Sequence, residues 1–393
     1  MPRTPLVTLF LVFLKLGLTA FGGPVAHLGY YRREFVLRRS WLDEQGFAEL
    51  VAIGQFLPGP SSSQVGIAVG AQRAGLAGAI VAWIGFTLPA AALMTLLAYG
   101  VAHLDPARAG GWIAGLKLAA LAVVANALLG MARALTPDAP RAGLALAAAA
   151  VAVLLPGTAG QLGAIGLGAL AGTMTTPASE PPRHAPAGGI GRRTAIVCAV
   201  LFVALLVGLP AAAAVWQAPW LTVAAGFFRA GSLVFGGGHV VLPLLESVVV
   251  PPGWVDRETF LAGYGAAQAI PGPMFAITAY LGAAMVPEPN GVAGGLLCLV
   301  ALFLPGFLLV LAALPAWRAV SRVARLRGAM AGVNAAVVGL LGAALYDPVF
   351  TSAVHAAPDL VIAAAGFVAL ARWRAPPWAV VVVLAAGRAA LGQ

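Results

Sequence analysis

Apolar runs recur at residues 6–28, 44–71, 75–102, 110–135, 141–155, 159–175, 194–215, 219–250, 256–285, 290–317, 327–346, 357–372 and 376–391, with short polar connections between them. A helix needs about 20 apolar residues to span a bilayer, so several of these runs qualify outright. Those at 141–155, 159–175 and 376–391 are short, as tilted or re-entrant segments are. The run Leu6–Phe21 contains Lys15 and has no convincing cleavage site, so it reads as a first membrane segment rather than a removable signal. The pattern predicts an all-α polytopic membrane protein with about 10–13 membrane segments.

Composition agrees with the pattern. Of 393 residues, 61% are hydrophobic and 9% charged, far outside the soluble range. The net charge of +10 would suggest nucleic acid in a soluble chain, but here the arginines gather in short loops, as topology signals do. No nucleic acid partner is expected. The two cysteines, Cys198 and Cys298, lie in separate apolar runs with no metal or disulfide spacing, and the histidines at 27, 103, 184, 239 and 355 show no zinc pattern. Walker, GxGxxG and GxSxG motifs are absent. Neither a metal nor a cofactor is expected, and no enzyme chemistry is indicated.

A Pro/Gly-rich stretch at 177–193 divides the chain into an N-terminal repeat at 1–176 and a C-terminal repeat at 194–393, the latter led by a connecting helix. The halves echo each other in one order. Phe13–Gly23 (FLKLGLTAFGG) pairs with Phe227–Gly237 (FFRAGSLVFGG), Trp41–Phe47 with Trp254–Phe260, and QFLPGP (Gln55–Pro60) with QAIPGP (Gln268–Pro273). Pro89 and Pro305 fall at nearly the same offset. Basic residues distinguish the orientations. Arg32, Arg33, Arg38 and Arg39 face a counterpart loop holding Arg257, while Arg318, Arg322, Arg325 and Arg327 face one holding Arg108. Both contrasts favour inverted repeats. Counting every run as a crossing puts the two basic loops on opposite faces, so either one short segment does not cross or one basic loop faces outward.

Broken helices survive in lipid only inside protein or around a wet cavity. Gln55 is expected to close one half-helix and Ser61 to open the next, with Ser40, Asp43 and Asp256 as caps at the hairpin entrances. A helix start after Pro60 presents free amides and a positive dipole end, a ready anion site that Ser61, Ser62, Ser63 and Gln64 would extend. The second PGP leads into Met274, Phe275, Ala276 and Thr278, a less polar version, so the first tip is expected to carry the chemistry and the second, with Gln268, to shape the site. Lys15 and Arg229 are matched cations within membrane runs and would neutralise a divalent anion without a metal; Lys117, opposite Asn334, is a further candidate. The glycines Gly22, Gly23, Gly236 and Gly237 allow close backbone approach or a second unwound point. Gly66/Gly70 and Gly168/Gly172 read as packing positions, and Glu49 and Glu246 as candidate proton carriers.

These residues reach a small tetrahedral oxyanion and no further. FGGPVAHLGYYRREFV (Phe21–Val36), WLDEQGFAELVAIGQFLPGPSSSQVG (Trp41–Gly66) and the echoes FGGGHVVLPLLE and QAIPGPMFA resemble the chromate ion transporter family over nearly the whole chain. The resemblance implies an inner-membrane protein of two oppositely oriented helical halves that exports chromate, confers resistance to it and meets competition from sulfate. The expected partners are thus chromate, sulfate, the lipid bilayer and a second copy in a homodimer. Hydroxyl and amide donors separate two tetrahedral dianions poorly, so sulfate transport stays an alternative within the class. A polytopic lipid-pyrophosphate phosphatase is the alternative of another class, but residues 58–70 lack its expected arginine and Glu44 and Glu49 are no adjacent acidic pair.

Overall fold

The computed structural model describes residues 4–102, 106–155, 157–175, 189–235, 241–320 and 322–390, and among them every regular element is helical. Helix α1 (Leu6–Thr19) stops at the Phe21-Gly22-Gly23 turn. Helix α2 (Gly23–Tyr31), prolonged by a π-helical stretch Arg32–Arg38, then runs back along it. The ring of Phe13 meets those of Tyr31 at 6.1 Å and Phe35 at 5.3 Å, contacts that antiparallel arms bring about. The turn needs its glycines: Gly22 has φ 97° and Gly23 φ 76°, where a Cβ is strongly disfavoured. Helix α3 (Glu44–Phe56) and the first arm of α4 (Ser61–Ala102) form a second hairpin with PGP at its tip. Asp43 caps α3 by accepting from the Gly46 amide at 2.7 Å. Helix α4 breaks at Ala74 and Gly75 and folds back with Gly70 against Gly78. Ser40 is no cap; it takes a left-handed φ of 48° in the loop before α3.

The remainder follows in order. Helix α5 (Pro106–Leu135) precedes a hairpin of α6 (Ala139–Leu154) and α7 (Thr158–Thr175). Next come α8 (Arg192–Trp216), then the second repeat's hairpin of α9 (Pro219–Ser232) and α10 (Val241–Val249), closed by Gly226 against Val248. The second PGP hairpin joins α11 (Arg257–Ala267), capped by Asp256 through the Thr259 amide at 2.9 Å, to a 3-10 turn Met274–Ala276 and α12 (Ile277–Ala284). Helix α13 (Gly291–Val320) folds back on α12 with Gly294 against Gly282, repeating the Gly70–Gly78 contact. Helix α14 (Ala324–Ala344) continues through a π-helical stretch Leu345–Phe350 and the single turn α15 (Thr351–Ala353), and a last hairpin joins α16 (Ala357–Ala371) to α17 (Pro377–Ala390).

Arms of 13–14 residues are about 20 Å long, short of the roughly 30 Å of hydrocarbon. The run 6–28, expected as one membrane segment, is therefore a re-entrant turn-back, and 44–71 is a second one. Five helical stretches are long and apolar enough to cross: the second arm of α4, α5, α8, α13 and α14 with its extension. Two crossings in the first repeat, then the single pass of α8, start the second repeat at the opposite end. The repeats are inverted. Because hairpins return to the end they came from, Arg32, Arg33, Arg38 and Arg39 and the α13–α14 connection with Arg322, Arg325 and Arg327 share one end of the bundle. The sequence-level conflict between these loops came from counting hairpins as crossings.

The repeats are also interlocked. Hairpin α6–α7 packs on α14 of the other repeat, with Gly168 against Gly332, Gly172 against Gly328 and Gly339 against Ala145. Hairpin α16–α17 packs on α5, with Gly115 and Gly111 against Ala385 and Ala389. Helices α5 and α14 meet where Leu128 lies 3.9 Å from the Cβ direction of Gly342. Gly17 on α1 abuts the Phe86 carbonyl of α4, where a Cβ would stand 2.6 Å from the oxygen, and its counterpart Gly231 on α9 abuts the Leu302 carbonyl of α13. Replacing Gly17 or Gly231 by valine should cost about 1–3 kcal/mol through overpacking. A lowered melting temperature in detergent checks this, with Gly130→Val, where nothing lies within 4 Å, as the control that stays unchanged.

The arginine-rich end also carries Arg73, Arg133, Arg141, Arg192 and Arg193, with Glu34, Asp43, Glu44 and Asp138, whereas the other end carries Arg257 and Arg388 among Glu246, Asp256, Glu258, Glu288, Asp347 and Asp359. The positive-inside tendency therefore predicts that the arginine-rich end faces the cytoplasm. With the buried Cys198 and Cys298 replaced, an impermeant maleimide should label Glu288→Cys in intact cells and Arg325→Cys only after permeabilisation. The reverse pattern would invert the assigned orientation.

Candidate functional site

Where the hairpin tips meet, each repeat completes the other. The amide of Gly59, in the first PGP, donates to the carbonyl of Val234 at 2.7 Å, and the amide of Gly272, in the second PGP, donates to the carbonyl of Ala20 at 2.9 Å. Gly59 and Gly272 are matched positions, and so are Ala20 and Val234. The two bonds are therefore one contact made twice about a pseudo-twofold axis.

Beside the Gly272–Ala20 bond lies a cavity of about 90 Å³, room for a few waters or one small solute. Its wall combines the α1–α2 turn (Gly22, Gly23), the second PGP turn (Gln268, Gly272, Met274), mid-α5 (Asn126) and the start of α17 (Pro377). Three helical starts border it: α2 at Gly23, the turn at Met274 that leads into α12, and α17 at Pro377. The carbonyl of Ala20, at the end of α1, is already taken by the Gly272 amide. Gln268 and Asn126 add carboxamide donors. Gln268 Nε2 reaches the Met274 sulfur at 2.9 Å, and Asn126 has no hydrogen-bond partner among the described residues. No carboxylate lines the wall. Such a wall suits an anion with several acceptor oxygens.

The structure separates the residues singled out from sequence into groups. Gly22, Gly23 and Gln268 line this cavity. Gly236 and Gly237 lie outside the described residues, as does His239. Ser61 opens α4, half-buried. Ser62 and Ser63 are buried inside the first repeat, where Ser62 Oγ lies 3.2 Å from His27 Nδ1 and Ser63 Oγ has no partner. Gln64 secures the first PGP turn, donating to the Pro58 carbonyl at 2.9 Å and the Gly306 carbonyl of α13 at 3.2 Å. Gln55 is exposed at the end of α3. Lys15 and Arg229 occupy matched exposed positions on α1 and α9, away from the cavity wall. Lys117 is buried and lies 3.3 Å from the Glu258 carboxylate. Glu49 accepts from the Trp317 indole at 2.9 Å and Glu246 from Arg257 at 3.2 Å. Gly70, Gly168 and Gly172 do pack against glycines, while Gly66 leaves room for the rings of Phe13 and Tyr31.

Two features of the site escaped the sequence reading. Asn126 was visible as a lone carboxamide in the apolar run 110–135, the kind of polar residue that marks a pathway in a membrane. Arg372 and Arg374, exposed at the α16–α17 tip between the cavity-lining Leu370 and Pro377, looked like an ordinary loop until the packing on α5 placed that tip level with Asn126. Among the described residues no group of His, Cys, Asp and Glu is arranged to hold a metal ion.

Comparison with known proteins agrees with the duplicated architecture. The family model described as chromate transporter matches twice, at residues 7–173 and 221–391, leaving α8 outside both matches. The chromate transport protein of Pseudomonas aeruginosa is 30% identical over 97% of this chain and 91% of its own length. A probable chromate transport protein of Synechococcus elongatus is 27% identical, covering 88% of this chain and 84% of its own. The chromate transport protein of Cupriavidus metallidurans is 27% identical, with 88% and 82% covered. No solved structure matches the chain significantly. With five crossing helices and no enzyme among these relatives, the chain is a multi-pass membrane transporter that belongs to the chromate transporter family.

Proposed function

We propose that the protein exports chromate across the inner membrane, holding the dianion in the cavity between the first repeat's glycine turn and the second repeat's PGP turn. The observation that carries this is the convergence of three helical starts and two carboxamides on a wall without a carboxylate. Backbone amides need no buried cation, whose desolvation is costly at that depth. Tetrahedral oxygens accept from several directions at once, which matches polar groups arriving from the α1–α2 turn, the second PGP turn and α5. Sulfate has the same shape and charge and is expected to compete, because no feature of the wall excludes it. Export, as opposed to uptake, is what the family resemblance implies, and a homodimer is proposed beside it.

In this reading the tip contacts act as gates. Opening one hairpin pair toward its own face while the opposite pair stays closed would give alternating access around a fixed site, as inverted repeats do elsewhere. Lys15 and Arg229, exposed at matched positions, would raise the anion concentration near the tips without touching the bound ion.

Radiolabelled chromate uptake into inside-out vesicles tests this. Saturable uptake competed by unlabelled sulfate is expected. Asn126→Ala and Gln268→Ala should each raise the apparent KM about tenfold, since a hydrogen bond to a charged group contributes about 1.5–3 kcal/mol. Lys15→Ala and Arg229→Ala should act more weakly, with an effect that fades at high salt. Well-folded protein that moves neither anion would overturn the transport of oxyanions, and full activity in the Asn126/Gln268 double variant would overturn the location of the site.

A further inference from the structure

Behind the first repeat's tips lies a polar cluster that the anion cavity does not use. His27 on α2 is 1% exposed, Tyr31 one turn on is 0%, and Ser63 and Thr87 from the two arms of α4 are 3% and 2%. His27 Nδ1 lies 3.2 Å from Ser62 Oγ. Four atoms nearby have no hydrogen-bond partner: His27 Nε2, Tyr31 Oη, Ser63 Oγ and Thr87 Oγ. The Phe86 ring, 5.3 Å from His27 and 5.4 Å from Tyr31, binds the group together. Native interiors leave few polar atoms unpaired, because each costs about 1–3 kcal/mol. Several in one place call for an occupant.

The duplication supplies an internal control. By the same pairing of motifs, His27, Tyr31, Ser62, Ser63 and Thr87 correspond to Val241, Leu245, Phe275, Ala276 and Phe303. These five are buried and apolar or small, so the backbone frame does not require polarity there. Where the second repeat has Val241 the first has the imidazole of His27, and it sits beside the contact that joins the repeats: the ring's other neighbour is the Ala20 carbonyl, short of hydrogen-bond geometry, which already accepts from Gly272.

We infer that His27 is a proton-binding site of the transporter, loading Nε2 from water that enters the Tyr31–Ser63–Thr87 cluster and coupling its charge to the bound dianion. This rests on the transport reading above. With the neutral ring's proton on Nδ1, that nitrogen donates to Ser62 Oγ and the Nε2 lone pair is free. A proton taken by Nε2 turns it into a donor directed at Ala20 O, in competition with the Gly272 amide, and this loosens the tip contact that closes the anion cavity. The positive ring and the dianion, two residues beyond Ala20 at Gly22, favour each other, and that preference is reciprocal. No fixed charge on the packed elements intercepts the effect. Helix α1 offers Lys15 on its exposed face, and α3 offers Glu44 and Glu49, partnered by Arg32 and Trp317. Arg73 ends the first arm of α4 beside Thr4 and Trp41, and the facing tip Gln268–Pro273 has no titratable group.

The test uses the full chain in proteoliposomes, with chromate flux and an internal pH dye read together, for wild type, His27→Gln and Val241→His. Wild type should accelerate at least tenfold when the imposed pH gradient puts the acidic side where chromate enters, and protons should move in the same direction as chromate. His27→Gln, which keeps a donor for Ser62 and cannot titrate, should retain chromate counterflow at zero gradient while losing both the acceleration and the proton movement. Val241→His should add no second proton, because its surroundings lack the hydroxyls. A gradient response in His27→Gln equal to wild type overturns the inference and leaves chromate transport standing. So does wild-type flux indifferent to the gradient. Wild type that moves neither chromate nor sulfate instead overturns the transport reading and the inference together.

Discussion

Everything in this protein hangs on where the broken backbone finds its hydrogen bonds. Helical hairpins of both repeats end inside a layer that offers no water, and each unpaired amide or carbonyl there costs several kcal/mol. The structure meets that cost by exchange: the first repeat's PGP turn gives its amide to the second repeat's Val234 carbonyl, and the second repeat's gives its amide to Ala20. Neither repeat can satisfy its own turn. The last hairpins extend the dependence, since α6–α7 is seated on α14 and α16–α17 on α5 through glycine contacts too close for any larger residue. Two homologous halves thus form one folding unit, and a proline and glycine linker between them marks a seam in the sequence and not a boundary between bodies.

The same exchange decides the electrostatics of the site. A hairpin tip contains both a helix end rich in carbonyls and a helix start rich in amides, and on average these cancel. With the Ala20 carbonyl taken by Gly272, the carboxamides of Gln268 and Asn126 are the polar side chains of the adjoining cavity. A dianion can then be held by dipoles fixed in place by the fold, with little reorganisation when it arrives. Charged side chains would attract the ion more strongly, but at this depth they would also need partners in the empty state, as Lys117 does in Glu258. Lys15 and Arg229 instead stand on exposed faces, away from the cavity wall.

What could be read from the sequence follows from what is local. The FGG and PGP turns declare themselves by glycine, proline and repetition, and Asp43 and Asp256 act as the caps their positions suggest. Length alone misleads for Leu6 to Leu28, because 23 residues that turn back at Gly22 have the same composition as 23 that cross. That single ambiguity also hid the sidedness of the basic loops. The partner of each tip was out of reach for a different reason: Gly59 and Val234 are far apart in sequence, and nothing in either motif names the other. Asn126 needed only the rule that a carboxamide in an apolar helix is costly without a role. Arg372 and Arg374 needed the register of α17 on α5, which glycine positions encode but do not display.

Duplication also explains how an inverted pair can be symmetric in frame and asymmetric in chemistry. The frame is carried by backbone and glycine: Gly17 matches Gly231, Gly59 matches Gly272, and the folded-back arms meet at Gly70–Gly78 and Gly282–Gly294. Side chains are free to diverge upon it. Serines and a histidine fill the space behind the first PGP turn, whereas phenylalanine, alanine and valine fill the equivalent space in the second. Matching backbones let the two tip contacts be built in the same way, while unlike side chains behind them leave the two faces chemically distinct.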